Sequence, residues 1–220
     1  MSSRETTPSR VFLAPQFNTL EQQHSAASFG MWVFLATEVM LFGGLFTAYT
    51  VYRTVYAAGF AEGSRHLDLL FGGTNTAVLI CSSITMALAV RAAKLGDRRK
   101  LLLFLAATAA IGALFMTIKA AEYLKDATDG VVPLVAWTYD GPYQQTVLVF
   151  MFLYFAMTGL HAFHLTVAIG IVLVTLFMAW RGAFPPAHFA PVEVVGLYWH
   201  FVDMIWIFLL PLLYLFGLQS

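Results

Sequence analysis

Five apolar runs, each of roughly 20 residues or more, set the limits on what this chain can fold into, because a helix of that length crosses the ~30 Å hydrocarbon core of a bilayer. They lie near Phe29–Tyr52, Leu67–Ala92, Leu101–Tyr123, Thr146–Trp180 and Val192–Leu218. Hydrocarbon offers no partner to a backbone N–H or C=O, so such segments satisfy themselves as helices. Composition agrees: 11% of the residues are charged and 60% hydrophobic, against about 25% charged in soluble domains. The fold class that follows is an all-α membrane protein, a bundle of five transmembrane helices. A length of 220 residues leaves room for one bundle and no sizeable soluble domain. The fourth run has about 35 residues, or roughly 52 Å of helix, so it must tilt or protrude.

Residues 1–27 are polar and lack an apolar core after Met1, so they read as a cytoplasmic tail and not as a cleavable signal. Residues 28–220 form the five-helix domain. One connection, Lys125–Tyr143, is long and holds Gly130, Pro133, Gly141 and Pro142, which mark turns. The link Gly182–Pro191 carries Pro185, Pro186 and Pro191 and reads as a stiff turn. Orientation follows from the cations. Arg4, Arg10, Arg91, Lys94, Arg98, Arg99, Lys100 and Arg181 fall on one side, and only Arg53, Arg65, Lys119 and Lys125 on the other. The first side is expected to be cytoplasmic, with the N-terminus inside and the C-terminus periplasmic. A formal net charge of zero argues against nucleic acid as a partner. The single cysteine, Cys81, excludes an intramolecular disulfide, CxxCH haem attachment and any copper centre that needs two thiolates.

The costly residues are the ionisable ones at membrane depth. An Asp at the bilayer centre costs about 3 kcal/mol on insertion scales. Glu38 in the first run and Asp203 in the fifth both lie roughly 15 Å in from the cytoplasmic side. His200 is one turn shallower than Asp203, and His161 and His164 sit near the middle of the fourth run. These five residues on three helices are expected to face one another or a partner protein. His161 and His164, with Thr158 a turn back, form one stripe; Glu193, Gly196, His200 and Asp203 form another. Thr74, Asn75, Thr76, Ser82, Ser83 and Thr85 are of the types that stitch membrane helices together, and Gly43-Gly44 permits close backbone approach. Glu38 reads either as a proton-linked or lipid-contacting carboxyl or as a buried acid bonded across helices. As a metal site, His161 and His164 would have only Glu38 as a third ligand, and zinc takes three or four. His24, His66 and His188 fall in tails or loops. Three membrane histidines are too few for bis-histidine haem plus copper, so no redox centre is expected here.

Several of these segments resemble subunit III of the haem–copper terminal oxidases. Phe29-Gly30-Met31 through Thr37-Glu38-Val39-Met40-Leu41-Phe42 is similar to that family's first retained helix with its buried acid. Asn75-Thr76 with Ser82-Ser83, and Glu122-Tyr123, fall at matching places in the next two. Thr158-Gly159-Leu160-His161-Ala162-Phe163-His164 and Tyr198-Trp199-His200-Phe201-Val202-Asp203-Met204-Ile205-Trp206 are the most specific signatures. The resemblance implies a non-catalytic subunit, with haem and copper held by partner subunits, that packs on subunit I in a complex that also holds subunit II. It further implies bound phospholipid, support of proton uptake and protection during turnover. Glu38 falls at the family's carbodiimide-reactive carboxyl, and Arg181 is placed to meet a lipid phosphate. Longer members have seven helices, and the first two have no counterpart here.

Other readings stay open at this point. Five helices also occur in third subunits of quinol oxidases and in homologues associated with nitric oxide reductases, although Glu38 and the Tyr198–Asp203 run lean towards cytochrome c oxidases. A stand-alone proton-coupled transporter would use Glu38, His161 and Asp203 as its relay, but the inverted repeat and broken helix pairs of such proteins are missing. The expected location is a bacterial cell membrane, crossed several times.

Overall fold

The computed structural model describes residues 15–182, 184 and 189–214. Its helices are α1 (Leu20–Val55), a short α2 (Ala57–Arg65), α3 (Leu69–Lys94), α4 (Arg98–Thr128), α5 (Gln144–Trp180) and α6 (Ala190–Tyr214). All but α2 are long and apolar enough to cross a membrane, which makes this an all-helical, multi-pass chain. Arg4, Arg10, Pro185, Pro186, His188 and the end of the fifth run lie outside the described residues.

Short polar residues start the helices. Thr19, Asp68 and Asp97 each accept a hydrogen bond from a backbone N–H of the first turn that follows, at Gln22, Leu70 and Lys100. Each satisfies one of the amides that a helix start leaves unpaired, worth about 1 kcal/mol. Between α3 and α4 the chain reverses in three residues, with Gly96 at φ 71°, a left-handed conformation that glycine adopts without strain.

Helices α3, α4, α5 and α6 form a ring in which α3 packs on α4 and α6, and α5 packs on both of those. Trp199 and Trp206, seven residues apart on α6, donate their indole N–H groups to Ser82 (3.2 Å) and Thr76 (3.0 Å) on α3. Thr85 and Thr108 join α3 to α4 at 2.8 Å. The hydroxyls of α3 therefore serve as interhelical glue. Helix α1 leans on α5 and α6 from outside the ring. Its fully buried residues are Leu35, Phe42 and Tyr49, a strict seven-residue seam of the kind that winds one helix along another. The rest of α1 is largely exposed, including Phe29, Trp32 and Met40.

One end of the bundle is basic. There Lys94 reaches Glu193 (2.6 Å) and Arg98 donates to the carbonyls of Ala179 (3.1 Å) and Trp180, closing the last turn of α5. At the far end, Tyr49 and Ser64 donate to the Leu212 and Leu213 carbonyls, which ties α1 and α2 to α6.

One further helix emerges and two local readings are refined. The stretch after α1 is helical, and Gly59 and Gly63 are the reason it fits: a Cβ at either would lie 2.5 Å from Thr146 or Phe150 of α5. In the long connection, α4 continues to Thr128, and a two-stranded hairpin follows, β1 (Val131–Val132) against β2 (Ala136–Trp137). Among the described residues Gly43 and Gly44 make no close backbone approach, since a Cβ at either would meet nothing within 4 Å.

Candidate functional site

Glu38 and His164 meet across the α1–α5 interface, Oε2 to Nε2, at 2.9 Å. The imidazole is fixed from its other side by the Leu160 carbonyl, 2.8 Å from Nδ1 and one turn back on the same helix. A carbonyl only accepts, so Nδ1 carries a proton. The Glu38–Nε2 contact then holds one further proton, on the carboxyl or on the ring, and either arrangement is neutral overall. Phe42 covers the ring at 5.3 Å between centroids. This is a small polar site sealed on the bundle side and bordered outwardly by the exposed face of α1.

His161 does not belong to it. Three residues along a helix leave two side chains about 60° apart in direction, and here that suffices to turn His161 into the ring. It packs between Phe115 (5.7 Å) and Trp206 (5.1 Å), and neither nitrogen finds a hydrogen-bond partner among the described residues. The set Glu38, His161 and His164 therefore never converges. Among the described residues no group of three or more His, Cys, Asp or Glu is placed to hold a metal.

His200 and Asp203 lie on the α3 side of α6. His200 Nδ1 pairs with the Ser83 hydroxyl at 2.7 Å. The Asp203 carboxyl is buried, and neither oxygen completes a hydrogen bond among the described residues. Glu193, expected on the same stripe, works separately at the basic end, where Lys94 and His24 (3.0 Å) both reach it. Arg181 is exposed, with its guanidinium 4.4 Å above the Phe177 ring.

A fourth polar cluster was missed by sequence reasoning, which counted Lys119 among the flanking cations. Its ammonium is fully buried and donates to Glu122 (3.0 Å), Tyr154 (2.9 Å) and Tyr214 (2.9 Å). The two phenols in turn donate to Glu122 Oε1, and Asp126 lies 3.4 Å from the Tyr154 hydroxyl. The rings of Tyr123, Tyr154, Trp206 and Tyr214 surround the cation within 5.7 Å. Such a cage ties α4, α5 and α6 together through a desolvated ion pair. The signal was available: Lys119, Glu122 and Asp126 are spaced 3 and 4, one face of a helix, and the first two fall inside an apolar run. Beyond the membrane span, the hydrogen bond from Lys125 (3.0 Å) holds the Asp68 carboxyl below its usual range.

Among the described residues, the ionisable groups at membrane depth are spent on pairs and cages between helices, except at Asp203 and His161. The arrangement can hold protons at membrane depth and lock helices.

The comparisons with known proteins agree with this architecture. A sequence model of the family described as "Cytochrome c oxidase subunit III" matches residues 18–218. A cytochrome c oxidase subunit 3 of Synechocystis is 35% identical over 85% of this chain and 74% of its own length. One from Corynebacterium diphtheriae is 32% identical over 91% of this chain and 93% of its own length. A cytochrome bo(3) ubiquinol oxidase subunit 3 of Pseudomonas aeruginosa is 27% identical over 86% and 84%.

Proposed function

This chain belongs to the cytochrome c oxidase subunit III family, and on that premise we propose that it is the non-catalytic third subunit of an aerobic haem–copper oxidase of the cytochrome c type. In this reading it spans a bacterial cell membrane with its basic end, and hence its N-terminus, in the cytoplasm. It packs on subunit I, with subunit II in the same complex, and leaves oxygen chemistry to the haem and copper of those partners. The observation that carries the reading is the family match over 18–218, which takes in every membrane helix. The internal pairing of Glu38, Lys119 and Glu122 supports it, since these groups serve cohesion and proton holding.

Within that function, the Glu38–His164 pair is the element suited to support proton uptake. It stores one proton in a neutral site beside the exposed face of α1. The apolar length of that face suits bound phospholipid, with Arg181 offering a headgroup contact at the basic end.

The test is purification by a tag on this chain from its native membrane. A visible haem spectrum and two larger subunits should accompany it, the chain separated from them should carry neither iron nor copper, and sustained proton uptake should decline when it is removed. Recovery of the tagged chain with no haem protein would refute the reading. A second reading is favoured by the relatives named as quinol oxidase subunits, from Pseudomonas aeruginosa and Bacillus subtilis. Oxygen consumption by the purified assembly with ferrocytochrome c or with a quinol as donor separates the two.

A further inference from the structure

The cage around Lys119, at the far end of the bundle, brings one cation together with two acids. Lys119, Glu122 and Asp126 are 2%, 1% and 4% exposed, so the three groups share a dry site. One ammonium balances one carboxylate. A second carboxylate beside them would be a buried charge without a counter-ion, which is costly in a medium of low dielectric. Acids placed this close relieve that cost when one of them holds a proton.

The hydrogen bonds assign the proton to one acid. An ammonium has three protons, and those of Lys119 go to Glu122 Oε2 and to the oxygens of Tyr154 and Tyr214. Each phenol has one proton, and both go to Glu122 Oε1. Glu122 is thus met by donors on both oxygens, the surroundings of a charged carboxylate. Asp126 is not. Its carboxyl faces the Tyr154 oxygen, whose proton is already given, at 3.4 Å. A phenol that donates to an ionised carboxylate closes to about 2.5–2.7 Å, so this separation fits a neutral acid.

The place of Asp126 on its helix argues the same way. It lies in the last turn of α4, three residues before the C-cap Asp129, where the unpaired carbonyls of a helix end disfavour negative charge. Lys125, the next cation along α4, is exposed and turned to Asp68 at the start of α3 (3.0 Å). Asp129 adds further negative charge nearby, and the Tyr123 hydroxyl is paired with Thr158 at 2.6 Å. Strand β1, which packs on α4, brings the apolar Val131 and Val132.

We infer that Asp126 is a proton-binding site whose proton completes the lock between α4, α5 and α6. With the proton bound, the cage is neutral as a whole. Its loss to water sets two carboxylates against one ammonium at the point where the three helices are tied, and the tie loosens. The site is separate from the Glu38–His164 pair, which joins α1 to α5. It lies within the last turn of α4, so the water on that side of the membrane is what it exchanges with.

The test is infrared difference spectroscopy of the tagged chain, purified with its companions in native lipid at neutral pH. The parent is compared with Asp126→Asn, whose amide imitates the neutral acid. The variant should lose one carboxylic-acid C=O band, sensitive to deuteration, and no carboxylate band. Asp129→Asn, at an exposed position, serves as control and should lose carboxylate bands instead. Loss of carboxylate bands in Asp126→Asn overturns the inference, because the acid is then ionised. Unfolding supplies a second readout. Above about pH 4 an aspartate in the unfolded chain is ionised, so folding takes up one proton at Asp126. Stability then falls as the pH rises, until the folded site ionises as well. Over that window the unfolding constant of the parent should rise up to about tenfold per pH unit relative to that of Asp126→Asn. A ratio that does not change with pH overturns the inference too. Should Asp126→Asn fail to assemble, Tyr154→Phe removes the hydroxyl that faces the acid. A shifted acid band in that variant supports the site, and an unchanged acid region refutes it.

Discussion

Glu38 on α1 and His164 on α5 stand 2.9 Å apart, and the Leu160 carbonyl at 2.8 Å on the other ring nitrogen leaves one proton between them. That geometry makes the pair neutral as a unit. It explains how a carboxyl with only 14% of its side chain exposed sits in an apolar helix. It is also the only polar link from α1 to α5 among the described residues at this depth, and α1 has little other burial to hold it in place.

A neutral pair has a neutral mimic. In Glu38→Gln the amide donates to Nε2 of His164 in place of the carboxyl, so assembly and thermal midpoint should stay close to those of the parent. In Glu38→Ala the imidazole loses that partner, with an expected loss of about 1–3 kcal/mol. Thermal unfolding of the solubilised assembly, with subunit retention scored alongside, checks both. A glutamine variant less stable than the alanine variant would contradict the shared-proton geometry.

The two histidines on α5 should respond in opposite ways. His161 has no hydrogen bond to lose among the described residues and lies between two aromatic rings. His161→Leu replaces an unsatisfied polar ring with an apolar side chain of similar volume and should be neutral or stabilising. His164→Leu leaves Glu38 without its partner and should lose about 1–3 kcal/mol. Equal losses from both would mean that His161 makes a stabilising hydrogen bond of its own.

The caged ammonium offers a double-mutant test. Lys119→Met leaves Glu122 buried without its cation, and breaking a buried pair from one side costs about 3–5 kcal/mol. Lys119→Met combined with Glu122→Gln removes both charges and should recover a large part of the loss. Tyr214→Phe deletes one hydroxyl from the cage and should cost only about 1 kcal/mol. Thermal midpoints of the parent, both single variants and the double variant close the cycle. If the double variant were as unstable as the sum of the singles, the two residues would not be coupled.

These contrasts mark where the sequence was legible. Helix number and approximate position followed from the length of the apolar runs, because a bilayer imposes that length directly. The α3 hydroxyls were legible as glue, since a membrane helix has few other polar partners. What the sequence hid was direction. His161 and His164 share a stripe at three-residue spacing, but the ring of helices is narrow enough that a 60° difference sends them to different neighbours. Lys119 looked like an end-of-helix cation because the apolar run weakens after it; only its register with Glu122 and Asp126 marked it as buried. Helix α2 was hidden by Gly59 and Gly63, poor helix formers by propensity that are required here by the closeness of α5.

That closeness supplies the last prediction. A Cβ on Gly59 would fall 2.5 Å from the Thr146 Cβ and 2.6 Å from its Cγ2. The Thr146 Cβ is fixed to the backbone and cannot swing aside, so α2 itself must lift from α5. Overpacking of this kind costs about 1–3 kcal/mol, and the bond from Ser64 to the Leu213 carbonyl goes with it if α2 shifts far. Gly44→Ala meets nothing within 4 Å and exchanges a weak helix former for a strong one, a gain of up to about 1 kcal/mol. Thermal unfolding of the purified chain should therefore rank Gly44→Ala at or above the parent and Gly59→Ala well below it. The reverse order would place the tight helix crossing on α1 instead of α2.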